Sequence, residues 1–185
     1  MFFVSGLATL LHFIYDLTDG SVFAVLFGAV NESVWENTKI FLVAYCVWAV
    51  VELLVSKAPF KRFVIGKVIG IYFLAGYIIL LHYLYVLFTG KSIMAVDITL
   101  GFTSVILAHI ISYKIVSGRA KVESYFVPSL FLLALFFVAI FSFTAFPPHL
   151  ELFRDENTGF YGVVPDYIDK GEAYLSANMK WKLDK

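Results

Sequence analysis

The chain lacks almost everything a soluble enzyme displays. Only 15% of its 185 residues are charged, and Cys46 is its single cysteine. One thiol excludes an intrachain disulfide and leaves the redox compartment open. Fourteen Lys and Arg balance fourteen Asp and Glu, so no basic excess exists to hold nucleic acid. No H-E-x-x-H, G-x-S-x-G, phosphate-binding glycine loop or C-x-x-C occurs, which removes the commonest hydrolase, nucleotide and dithiol chemistries. There is no low-complexity tract and no internal repeat, and so none of the inverted-repeat pattern of many secondary transporters. Met1-Phe2-Phe3 lacks the basic start of a signal peptide, so the apolar stretch that follows is expected to be a retained first helix.

What the chain has is apolar surface: 61% hydrophobic residues and 18% aromatic, far beyond soluble domains. Residues 126–143 carry no charge and no period-two alternation, which favours helices over a barrel. A bilayer core of about 30 Å needs about 20 helical residues. The expected fold is therefore all-α, a polytopic membrane protein with five transmembrane helices at about 2–18, 34–55, 64–88, 93–117 and 124–146. Ser21 to Val30 is apolar but reaches only about 15 Å as a helix, which makes it a short re-entrant or interfacial segment. Gly20 and Asn31 punctuate it, and Asn31 or Ser33 is the expected N-cap of the second helix. Residues 1–146 form a transmembrane helical domain, and 147–185 an extramembrane polar C-terminal tail that packs on the outer face.

Basic residues set the orientation. Lys57, Lys61, Arg62, Lys67, Lys114, Arg119 and Lys121 fall on one side, against Lys39, Lys91 and Arg154 on the other. The positive-inside rule then puts the N-terminus in the cytoplasm and the tail outside, in a multi-pass protein of the cell membrane.

Against this background one block stands out, Asn31-Glu32-Ser33-Val34-Trp35-Glu36-Asn37-Thr38-Lys39, joined directly to the apolar run Ile40 to Val55. Counting about 20 residues back from Val55 starts the span at Glu36, so the block lies at membrane depth. Ionisable groups there are costly and mark a functional site by default. Glu32, Glu36 and Lys39 sit at i, i+4 and i+7 of one expected stripe. Two carboxylates so placed repel and require Lys39, a bound cation or a shared proton; the plainer alternative is a Glu-Lys pair among the headgroups. Trp35 is expected in the interfacial belt.

Four other helical positions fall near the same depth. His12 and Asp16 share a face of the first helix and can hold a metal or relay a proton, or Asp16 simply orients the imidazole. Asp97 lies one turn inside the fourth helix, and His82, beside Tyr83 and Tyr85, in the outer half of the third. His109 and Glu52 lie toward the inner side, as a second polar step or as groups that snorkel inward. In the tail, Pro147-Pro148 stop the last helix, and Asp155-Glu156-Asn157-Thr158-Gly159 reads as a turn. Phe153, Phe160 and Tyr161 are expected to fold it back so that His149, Asp155 and Glu156 close the site; a solvated loop is the alternative. Residues 165–185 read as a short surface helix.

The residues N-E-S-V-W-E at 31–36, Leu11-His12 before them and the tail pattern PPHLxLFRDxxTGxYG together resemble an uncharacterised family of small prokaryotic membrane proteins, over roughly residues 8–163. The resemblance implies five helices and brings no activity, substrate or cofactor. It also implies a histidine after the second glutamate in part of that family, where this chain has Asn37, which takes one imidazole from any metal site.

Three functions compete. The leading one is an outward-facing acidic site that binds a cation or polar solute, with transport as its extension, through Asn31, Glu32, Glu36, Lys39, Asp97 and Asp155. The second is a membrane-embedded hydrolase or transferase in which His12, Asp16 and His82 hold a divalent metal cation whose water attacks a lipid-borne substrate. The third is a non-catalytic subunit or assembly factor. The partners are the lipid bilayer and either further copies of the chain or a membrane partner subunit, with no nucleic acid.

Overall fold

A computed structural model describes residues 2–163; the surface helix expected at 165–185 lies outside the described residues. The fold is all-helical: α1 Phe2–Leu17, α2 Val22–Phe27, α3 Val34–Val55, α4 Phe60–Thr89, α5 Met94–Ser117 and α6 Phe126–Ala145, with 3-10 turns at Glu123–Tyr125 and Glu151–Phe153. Four segments, α3, α4, α5 and Glu123–Ala145, are long and apolar enough to cross a membrane. They are apolar on nearly all sides, as helices between protein and lipid must be, and this fits a multi-pass membrane protein.

α1 and α3 pack as antiparallel neighbours, while α4 and α6 run in the same direction, Phe60 meeting Phe126 and Tyr72 meeting Leu132. Phe3 of α1 stacks beside Trp48 of α3, at 5.4 Å between ring centroids, while His12 at the other end of α1 reaches Glu32 just before α3. The α4–α5 hairpin turns at Gly90, whose φ of 70° gives α4 a left-handed C-cap. Gly66 and Gly70, one turn apart on α4, let its backbone come close to α5 at Ser112 and Ala108, and Gly70 also receives the Tyr45 ring from α3. This small-xxx-small spacing is a common way to bring membrane helices together. Tyr72 of α4 donates to the Leu132 carbonyl of α6 at 2.8 Å, closing the bundle. The short α2 is capped by Ser21, whose side chain accepts from the Ala24 amide at 3.3 Å.

One boundary differs from the expected spans. The helix expected from residue 64 begins at Phe60, after Pro59, because Arg62 is not a loop charge. Its guanidinium crosses to the frayed end of α5 and donates to the carbonyls of Ile115, Val116, Gly118 and Ala120, at 2.6 to 3.2 Å, and to Glu123 at 3.0 Å. Those carbonyls have no helical partner of their own. Arg62→Ala is expected to cost about 2 kcal/mol. Thermal unfolding in micelles would show it, and Arg62→Lys should recover little because a point charge cannot serve four diverging acceptors.

At the same end, Lys67 pairs with Glu52 at 2.7 Å and lies over the Tyr45 and Phe63 rings. His109 packs edge-on to Tyr45 and holds the Val105 carbonyl through Nδ1. Lys67 and His109 thus both meet the Tyr45 ring, and the His109 Nε2 is buried without a hydrogen-bond partner among the described residues.

Candidate functional site

The polar block is built from its cap outward. Asn31 accepts from the Ser33 amide at 2.8 Å in a local turn, and the Ser33 hydroxyl accepts from the Glu36 amide at 3.2 Å as N-cap of α3. The helix therefore starts at Val34, and Glu32 stands outside the stripe expected to contain it. Its carboxylate turns instead toward His12, 3.6 Å away, and its amide toward the tail.

Glu36 and Lys39, one turn inside α3, are almost wholly buried, at 3% and 0% exposure. Their side chains meet at 2.6 Å. The Lys39 ammonium also donates to the Val25 carbonyl of α2 at 3.2 Å and to the Thr144 hydroxyl of α6 at 3.3 Å. Glu36 accepts in addition from the Val30 amide at 3.1 Å. An ammonium has three protons, and here each finds an acceptor. The pair consequently ties three elements to one point. Trp35 lies buried against Phe143 and Phe153, with centroids 5.2 and 5.3 Å away.

The tail locks onto this block. Asp155, buried in the turn, accepts from the Glu32 amide at 2.8 Å, from the Thr158 amide at 2.7 Å and from the Thr158 hydroxyl. Gly159 closes the turn at φ 75°, and Arg154 and Tyr161 form an antiparallel bridge. Asn31 donates to the Gly162 carbonyl at 2.8 Å. Phe153 fills the space beside Trp35 and Phe143, while His149 stacks on Tyr161 at 4.7 Å.

Between the tail and the C-terminal part of α4 lies a cavity of about 460 Å³, lined by Val34, Val86, Tyr83 and Ser92 and by His82, Glu151, Arg154 and Glu156, with the Asp155–Gly159 turn as one wall. His82 is its organising group. The ring is only 5% exposed. Nδ1 lies 2.7 Å from Asp97 Oδ1, and Asp97 also accepts from the hydroxyls of Tyr85 and Ser92 at 2.8 and 2.9 Å. A carboxylate held by that many donors is an acceptor, so Nδ1 carries a proton toward it, and in the neutral imidazole Nε2 presents a lone pair. Nε2 lies 3.8 Å from Glu156 Oε1, beyond hydrogen-bond reach.

The sequence-derived candidates thus separate into three places. Glu36 and Lys39 are sealed in the helix junction. Asn31, Glu32 and Asp155 hold the tail, with His12 against Glu32. His82 and Asp97 form the cavity wall, with Glu156 facing them. Asp16 is exposed on α1, and His12 and His82 have different carboxylate partners. Among the described residues no group of three or more His, Cys, Asp and Glu converges in a way that suits a metal ion. Sequence reasoning passed over Ser92, Thr144 and Arg154 as site residues. Only Thr144 gave a signal, as a hydroxyl near the end of an otherwise apolar helix.

Fold and site together define a multi-pass helical membrane protein with a polar cavity at one end of its bundle. The chain belongs to the Family of unknown function (DUF6512), which it matches over residues 1–163. No curated protein and no solved structure matches it.

Proposed function

We propose that this protein is a five-span membrane protein, N-terminus cytoplasmic and tail external, that binds a small, positively charged or polar solute in the cavity beneath its tail. The observation that carries this reading is the cavity of about 460 Å³ into which a buried histidine turns its Nε2, 3.8 Å from the Glu156 carboxylate. Carboxylates at Glu151 and Glu156 outnumber the single guanidinium of Arg154 on its walls, so its field favours cations. The fifth span is α1, whose 16 residues reach about 24 Å and run alongside α3. The orientation rests on the basic residues near the α3–α4 and α5–α6 connections. Binding is preferred to passage through the bundle, because Glu36 and Lys39 are saturated by their own neighbours.

Titration calorimetry on the full chain in phosphatidylcholine nanodiscs tests the reading, with Na⁺, K⁺, Mg²⁺, Zn²⁺, ethanolamine and choline as probes. At least one is expected to bind saturably, and Val86→Phe, which fills the cavity from α4, should weaken it about tenfold or more. A panel in which no probe binds, or in which Val86→Phe leaves every affinity intact, would overturn the assignment.

A further inference from the structure

We infer that the cavity's occupant is a primary ammonium group, seated between His82 and Glu156 and donating a hydrogen bond to each. This rests on the cavity being a binding site and adds the chemistry it selects. The argument comes from what the two facing groups lack. In its neutral form, with the Nδ1 proton directed to Asp97, His82 offers only a lone pair at Nε2, and the Glu156 carboxylate likewise only accepts. Two acceptors 3.8 Å apart cannot satisfy one another. A nitrogen placed about 2.8 Å from both fits that gap with normal charge-assisted geometry. Nothing else on the wall fills it. The Arg154 guanidinium is engaged with Glu151 at 3.3 Å, and the Ser92 hydroxyl donates to Asp97.

The competing cations fit less well. A divalent metal would find Nε2 and one carboxylate, and no third His, Cys, Asp or Glu among the described residues completes a site. A quaternary ammonium has no N–H to give and would leave both acceptors bare, although the Tyr83 ring could still attract it. Selection for N–H over N–CH₃ is therefore the signature of this arrangement. Two sources share the ammonium chemistry: a free amine, or the headgroup of an ethanolamine lipid, which the apolar Val34 and Val86 would suit.

The test compares ethanolamine with choline on the full chain in nanodiscs made only of phosphatidylcholine. Ethanolamine is expected to bind at least tenfold more tightly than choline, and Glu156→Gln should remove about tenfold of that affinity with no change in the melting temperature. His82→Gln should act likewise, and the exposed position of Glu156 keeps the test valid if that second variant does not fold. Nanodiscs containing phosphatidylethanolamine separate the sources. If the lipid is the ligand, it should co-purify with wild-type protein and not with Glu156→Gln, and should block ethanolamine; if a free amine is the ligand, it should do neither. Equal affinity for choline and ethanolamine would overturn the inference while leaving the cavity a binding site. Binding of Mg²⁺ or Zn²⁺ alone would also overturn it, and binding of none of these probes would overturn both readings.

Discussion

Lys39→Met is expected to lower stability by about 3–5 kcal/mol, a fall in melting temperature on the order of 10 °C. Methionine fills much of the space of the lysine stem, so the loss is mainly electrostatic. Glu36, at 3% exposure, would keep the Val30 amide as a donor but lose its countercharge in a place that water cannot reach. Thr144 and the Val25 carbonyl would lose their donor as well, so α2 and α6 would loosen from α3 together. Glu36→Leu combined with Lys39→Met should recover most of the loss, because removing both charges removes the desolvation cost that each imposes. Melting curves of the three variants in micelles decide the matter. A single variant as stable as the wild type would mean that no ion pair exists there.

That pair shows how far the sequence could be read. Counting 20 residues back from Val55 puts Glu36 and Lys39 in the second long helix, and α3 does begin at Val34. Length and hydropathy suffice for this, because the bilayer imposes both. The partners of the two residues were not legible, since Val25 and Thr144 approach only through tertiary packing, and a backbone carbonyl leaves no mark in sequence. Glu32 was assigned to the helical stripe because periodicity runs on regardless of caps; Ser33 ended it one residue later. Among the ionisable groups, Asp97 and His82 were both placed at one depth, yet their 2.7 Å contact depends on the Gly90 turn that sets the register of α4 against α5. The tail turn at 155–159 was legible from its Asp, Asn and Gly. Its docking is foreshadowed by Phe153, Phe160 and Tyr161, aromatic residues on either side of the polar turn.

Asp155→Ala is the second substitution with a large expected effect, about 2–4 kcal/mol, and it acts on the site more than on the bundle. The carboxylate holds the turn through both Thr158 donors and clamps it to the Glu32 amide. Without it three donors lose their acceptor in a buried place, at about 1–3 kcal/mol for each that water does not reach. The spans α3 to α6 do not depend on this turn, so the helical signal in far-UV circular dichroism should persist. The tail should instead loosen, with Phe153 against Trp35 and the Asn31–Gly162 bond still tying it to the block. Limited proteolysis should then cut near Glu156 to Gly159 at least tenfold faster than in the wild type. Because Glu156 rides on the same turn, the cavity would lose one of its two facing acceptors, and ethanolamine affinity should fall with the tail's protection. Asp155→Asn separates the two roles of the carboxylate. It keeps one acceptor oxygen for either Glu32 or Thr158 but turns an amide NH₂ toward the other, so an intermediate cleavage rate is expected. If Asp155→Ala left both the cleavage rate and the affinity unchanged, the tail would not be held by this residue, and the cavity wall would have to be built by other contacts.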